Sequence, residues 1–183
     1  MQNVTEKEKL KDVKTDMKIM VYILLGIAFV LLTILVVGLS LPKIRTLSKQ
    51  AVYDASIETV YNTVTNNRDW EYRKSLEDLK IIETNNDFEI WEEVSGGITI
   101  RFKTKEKRPY TFYSFEMDCK HFQGEWFAEF ETVENGKTRF TATEKIKYKN
   151  PFKRVIGYAF INLDKYMETY QNELRNKIEN ASR

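Results

Sequence analysis

One cysteine, one histidine and almost no surplus of charge set the first limits on this chain. A lone Cys119 leaves no intrachain disulfide and no thiolate zinc site, so cysteine says nothing of the compartment. A single His121 leaves no HExxH and no Ser-His-Asp or Cys-His set to argue from. It falls between two strands and reads as an exposed turn residue. Seven glycines are scattered without forming a phosphate-cradling loop, and the carboxylates show no metal-ligand spacing. Twenty-nine basic against 27 acidic side chains give a net charge of +2, with no basic stripe to suit a nucleic acid. The expectation is no catalytic set, no metal, no cofactor and no nucleic-acid partner.

Long hydrophobic runs are scarce too. A mean hydropathy of −0.49 excludes a polytopic membrane protein. One run departs from it, the uncharged stretch Ile19 to Leu41. As a helix it would measure roughly 35 Å, enough to cross a hydrocarbon core of about 30 Å with some tilt. It is too long for a signal-peptide core and ends in a poor cleavage site around Val37-Gly38-Leu39-Ser40. A buried soluble helix would carry a polar face, and only Thr33 and Ser40 interrupt this one. A single-pass membrane helix is therefore expected, with the bilayer as partner. Lys7, Lys9, Lys11, Lys14 and Lys18 precede the run, whereas Lys43, Arg45 and Lys49 follow it. That balance favours a cytoplasmic N-terminus and a soluble domain on the non-cytoplasmic side.

The organisation that follows is a polar tail (1–18), the span (19–41), a connector (42–49) and an α+β domain (50–181). Ala51–Ala55 reads as a strand, and Ser56 supplies an N-cap for a helix from Ile57 to about Asn66. Asp69 can cap a second short helix carrying Trp70 and Tyr72. Six strands follow: Leu79–Glu83, Phe88–Val94, Ile98–Lys107, Thr111–Cys119, Glu125–Val133 and Lys137–Lys147. The connections are short enough to allow only antiparallel neighbours, and Asn135-Gly136 is a hairpin signal. Trp126, Ala128 and Phe130 share one face of their strand; Phe140, Ala142 and Ile146 share one face of the next. From Asn150-Pro151 onward, Phe152, Ile156, Phe160, Leu163, Met167, Tyr170, Leu174 and Ile178 recur at helical spacing. They predict one long amphipathic helix covering the apolar face of the sheet.

Taken with that element order, the stretch Ser56-x-Glu58-x-Val60-Tyr61-x-x-Val64-Thr65-x-x-x-Asp69-Trp70-x-Tyr72-Arg73 resembles the opening of START-type helix-grip domains. Within them it is most similar to the polyketide cyclase/dehydrase and lipid-transport family, SRPBCC. Gly124-Glu125-Trp126 and Gly136-Lys137-Thr138-Arg139-Phe140-Thr141 are similar to that family's penultimate hairpin, and the resemblance spans about residues 47–181. It implies a curved antiparallel sheet of about seven strands gripping the long C-terminal helix, with an apolar cavity between them. The implied cavity wall is Phe102, Phe115, Trp126, Phe130, Phe140, Ile146, Ile156, Phe160 and Leu163. No residue set of a catalytic member is present, so the resemblance carries over no activity.

Glu144 shares by parity the apolar face of Phe140, Ala142 and Ile146. It is either a polar anchor or general acid in the cavity, with a raised pKa, or a solvated carboxylate at the rim. Three functions stay open. The first is a membrane-anchored binding module for a lipid or other apolar small molecule. The second is a non-catalytic envelope or regulatory interaction domain whose cavity is filled by its own aromatics. The third is an enzyme of the cyclase/dehydratase kind.

Overall fold

The computed structural model describes the backbone of residues 2–181, with side chains for residue 11 and residues 14–180. It opens with a single helix, α1 (Gln2–Ser40), whose segment Lys14–Ser40 is long and apolar enough to cross a membrane. The polar tail thus extends the helix instead of standing apart from it; Met1 lies outside the described residues. The reason is cooperative. Lys- and Glu-rich sequence propagates well once a neighbouring helix has met the nucleation cost.

The rest is one antiparallel sheet and three helices. The strands are β1 (Ile44–Tyr53), β2 (Asp78–Asn85), β3 (Phe88–Ser95), β4 (Ile98–Arg108), β5 (Phe112–Asp118), β6 (Phe122–Thr132) and β7 (Thr138–Tyr148). Their order is β1-β7-β6-β5-β4-β3-β2, a meander with the first strand brought round to pair with the last. Register shifts between Ile81 and Glu83, and between Thr104 and Glu106, are bulges of the kind that bend strands. In the β6–β7 hairpin Phe130 faces Phe140, Ala128 faces Ala142 and Trp126 faces Glu144, so the alternation read from the sequence lies on one inner face. At its turn Asn135 and Gly136 take φ of 61° and 70°, the left-handed values this dipeptide favours.

β1 begins well before the predicted strand. Ile44 pairs with Lys147 and Tyr53 with Thr138, so most of the expected connector is strand. Arg45, Leu47, Lys49 and Ala51 alternate inward with Tyr53, a pattern that two basic residues concealed.

Between sheet and solvent lie α2 (Ile57–Thr65), α3 (Pro151–Phe160) and α4 (Leu163–Ala181). Ser56 caps α2, its Oγ accepting from the Thr59 amide. No second helix forms at Trp70; residues 66–77 are turns that run back to β2. The single long C-terminal helix is also corrected. It breaks at Ile161-Asn162, where Ile161 is extended and the Asn162 side chain caps α4 by accepting from the Lys165 amide at 3.0 Å. The core joins Leu163, Met167, Leu174 and Ile178 of α4 to Tyr53, Trp126 and Phe140 of the sheet.

α1 joins the domain through a fixed contact. Its last turns pack chiefly against α3. A Cβ at Gly38 would collide with the Pro151 carbonyl, so the two backbones approach closely there. The buried Arg154 donates from Nη1 to the carbonyls of Gly38 at 2.7 Å and Leu41 at 3.3 Å. A guanidinium on those last carbonyls meets the negative end of the helix dipole. Arg45 treats α3 in the same way, donating to the Gly157 and Ile161 carbonyls at 3.2 and 2.8 Å.

Candidate functional site

The inner face of the sheet does not close fully on α3 and α4. A cavity of about 430 Å³ remains between them, within the range of small-molecule sites. Phe102, Phe115, Trp126, Glu144, Ile146, Ile156 and Leu163 line it, with Trp91, Ile100, Met117, Met167 and Tyr170. Two ring stacks build the sheet side: Trp91 on Phe102 with centroids 5.2 Å apart, and Phe115 on Trp126 at 4.8 Å. A shallower depression of about 640 Å³ on the outer face is lined by lysines, Arg101 and acids. Ion pairs such as Lys105 with Glu116 and Lys149 with Asp118 mark it as a solvated charged surface.

Three predicted wall residues lie elsewhere. Phe130 and Phe140 are buried beyond the end of the cavity, where α2 closes the sheet. Tyr61 packs edge-on against Phe130 at 5.1 Å and Tyr53 against Phe140 at 6.0 Å, so that region is filled by rings. Phe160 ends α3 and is 81% exposed, because it shares the outward face of that helix with Phe152 and Ile156, opposite the buried Arg154 and Gly157.

The polar end of the cavity rests on an ion pair. Arg73, in the turns after α2, meets Glu93 of β3 in a two-pronged contact, Nη1 to Oε1 at 2.7 Å and Nη2 to Oε2 at 2.9 Å. The indole of Trp91 donates to the same Oε1 at 3.0 Å, and the Tyr170 ring lies under the guanidinium at 5.5 Å. Burial works against the Arg73 charge, and the Glu93 carboxylate more than offsets it, holding the guanidinium protonated. Neither residue was singled out as a site from the sequence. The signal was there, since Glu93 shares strand parity with Trp91 and Arg73 closes the Ser56–Arg73 stretch.

Glu144 lies in mid-strand, between Leu47 of β1 and Trp126 of β6. It is 6% exposed, lines the cavity, and receives no hydrogen bond among the described residues. Burial pushes its carboxyl up to about 7; nearby Arg45 pulls it down and Glu93 adds to the rise. The rim alternative for this residue is therefore set aside. Tyr170, raised well above the usual tyrosine range mainly by burial, shares the cavity with it, and Tyr166 lines the open end, 41% exposed. His121 is also moved from its expected place: it is half-buried in the β5–β6 turn and lines the cavity. That turn abuts the start of α3, where the Lys149 amide donates to the His121 carbonyl and Lys153 Nζ to that of Lys120.

The cavity opens where its lining residues reach the outer surface. These are Ile98 on the β3–β4 hairpin, and Ile156, Ile161 and Tyr166 across from it on the α3–α4 segment. Exposed isoleucines dominate the mouth, and the polar groups of the lining include the Arg73–Glu93 pair, Asn67, His121 and the Glu144 carboxyl.

No family model and no curated protein matches the sequence. Solved structures do match the fold. The Zhui aromatase/cyclase from Streptomyces sp. R1128 superimposes with a TM-score of 0.67 at 11% identity, covering 76% of this chain and 96% of that one. A START superfamily protein from Mycobacterium smegmatis gives 0.60 at 14% identity, over 74% and 98% of the two chains. Truncated norcoclaurine synthase from Thalictrum flavum gives 0.60 at 8%, over 74% and 93%. The chain therefore carries the helix-grip fold of START-type proteins, preceded by an apolar helix.

Proposed function

We propose that this protein is a membrane-anchored binding module that holds a lipid or another apolar small molecule between its sheet and its C-terminal helices. The observation that carries the reading is the cavity itself, about 430 Å³, with an apolar wall and few polar groups. Its volume and largely apolar lining are in the range of small-molecule sites, which supports this reading over a domain filled by its own aromatics. In this reading Ile19–Leu41 anchors the chain, and the five lysines before it against three basic residues after it favour a domain on the non-cytoplasmic side. Anchoring keeps the mouth within a short reach of lipid and raises the effective concentration of a membrane-borne ligand.

The test is extraction of the full-length protein, purified in detergent from its own membranes, followed by mass spectrometry of the extract. Ile100→Trp places a large ring in the cavity from a half-buried wall position, and an unchanged thermal melting curve checks that the variant folds. A stoichiometric apolar species present with the wild type and lost with Ile100→Trp supports the reading. Equal extracts from the two proteins sink it.

A second reading, an enzyme of the cyclase/dehydratase kind, is favoured by one observation. Glu144 faces the same cavity as Tyr166 and Tyr170, and a carboxyl near neutrality suits general acid–base work. Aromatase/cyclases among the structural neighbours add to it at the level of fold. The extracted species, returned to fresh protein, distinguishes the two. Conversion by the wild type and not by Glu144→Gln favours the enzyme; unchanged recovery favours the carrier.

A further inference from the structure

The helix α3 has its polarity reversed. Its outward residues are Phe152, Ile156, Ala159 and Phe160, followed by Ile161, with Phe160 at 81%, Ile156 at 56%, Ile161 at 49% and Phe152 at 40% exposure. Its only charged residues are Lys153 and Arg154, both tied to backbone carbonyls, of Lys120 in one case and of Gly38 and Leu41 in the other. No acid is present in the helix. A short helix with an unbroken apolar face toward the outside needs a cover that water does not supply.

The contact with α1 indicates what the cover is. Pro151, Arg154 and Tyr158 lie on the face of α3 that meets α1, with the Tyr158 hydroxyl donating to the Pro42 carbonyl at 3.4 Å. Gly38 is three residues inside the end of the uncharged run, which is about 4–5 Å of helix. Partly buried Ile34 and Leu35 carry the packed side of α1 one turn further in. An element packed at that level sits where an interfacial helix sits, about 5–10 Å into the boundary between headgroups and acyl chains.

We infer that α3 is an interfacial helix, its Phe152–Ile156–Phe160 face and Ile161 seated in the leaflet that α1 leaves, so that the cavity mouth opens into lipid and not into water. The occupant of this face is the phospholipid leaflet itself. Ile156 and Ile161 belong both to the mouth and to the membrane-facing surface, which makes a continuous apolar path from acyl chains to the Trp91–Phe102 stack. The inference rests on the proposed membrane span and adds the depth and orientation of the domain.

The test uses full-length protein in phosphatidylcholine/phosphatidylglycerol nanodiscs, on a Cys119→Ser background. Single cysteines at Leu39→Cys, Phe160→Cys or Lys80→Cys carry an environment-sensitive fluorophore, and 5-doxyl phosphatidylcholine is the quencher. Residue 39 reports the span, and residue 80, on the exposed far edge strand, reports water. The expected result is loss of most emission at 160 as at 39, with little loss at 80. Quenching at 39 without quenching at 160 overturns the inference and leaves the span standing. A blue-shifted but unquenched label at 160 overturns it in favour of a protein cover, such as a second copy. No quenching at 39 removes the span and the inference with it. A second readout follows function. Phe152→Ser/Phe160→Ser, at two exposed positions outside the cavity wall, slows uptake of a fluorescent phospholipid from the same nanodisc several-fold while leaving its equilibrium occupancy unchanged; an unchanged uptake rate counts against lateral entry.

Discussion

Glu144 offers the most direct check on the cavity, because its protonation couples to the stability of the whole domain. Its carboxyl is pushed up from 4.5 to about 7 by burial in mid-sheet. Between those values the native protein holds a proton that the unfolded chain has released. Stability must therefore fall as pH rises through this window and level off above it. The shift corresponds to about 3 kcal/mol between the protonated and the ionised native forms. Glu144→Gln keeps the shape and removes the titration. The difference between variant and wild type should be flat below about pH 4.5 and grow in favour of the variant up to about pH 7. At pH 8 it should reach roughly 6–12 °C in midpoint, taking about 2–4 °C per kcal/mol for a chain of this size. The assay is thermal unfolding of delipidated full-length protein, followed by the fluorescence of the buried Trp91 and Trp126. Any penalty for burying the amide displaces the whole difference curve without giving it a slope. Parallel curves for the two proteins from pH 4.5 to 8 would refute the placement of the carboxyl against the cavity.

Arg73→Met leaves the Glu93 carboxylate buried without its partner and should destabilise by about 3–5 kcal/mol, measured by denaturant unfolding. Adding Glu93→Gln to that variant should recover most of the loss, since the stranded charge is gone; no recovery would mean the pair is not isolated as described. Gly157→Ala drives a methyl group into the Tyr148 ring, since a Cβ there overlaps that ring, and should lower stability by about 1–3 kcal/mol. Tyr148→Ala, itself destabilising, should remove most of that sensitivity, so the two changes must be strongly non-additive in a double-mutant cycle. Arg154→Leu frees the carbonyls of Gly38 and Leu41, and should raise amide hydrogen exchange through α3 while leaving β4 and β5 unchanged.

The sheet was legible because its signals are local. Alternation at Trp126-x-Ala128-x-Phe130, short turns and Asn135-Gly136 each act over a few residues, and the structure pairs those strands in the implied register. β1 was half hidden, since Arg45 and Lys49 point inward and a strand with cations on its buried side does not announce itself. Their partners lie far along the chain: Arg45 on the end of α3, and Lys49 on Asp164 at 2.9 Å. The break between α3 and α4 had a visible mark, the Asn162-x-x-Lys165 cap with Asp164 in the first turn. An apolar periodicity that runs through the break outweighed it. The cavity wall was read in part because parity gives the face of a strand and says nothing of position along it. Phe130 and Phe140 are on the correct face, at the end that α2 fills.

The residues that strand parity and helical periodicity missed have a common character. Gly38, Arg45 and Arg154 join segments more than a hundred positions apart, Gly157 seats its helix on a ring of the preceding strand, and none follows from the pattern of its own element. Together they make one joint. Arg154 fixes α3 to the end of α1, Arg45 fixes the end of α3 to the first strand, and Gly157 lets α3 lie against the Tyr148 ring. Each arginine closes on the terminal carbonyls of a helix, where a cation is favoured and a flexible connector would leave them to water. The break at Ile161 is what permits this. A continuous helix from Pro151 would have to serve the sheet and α1 along a single axis. Two helices let α4 cover the core while α3 takes the direction set by α1. The apolar helix and the cavity mouth are therefore held in a fixed relation by hydrogen bonds and a close backbone contact, and a ligand path that runs along α3 depends on that joint as much as on the cavity wall.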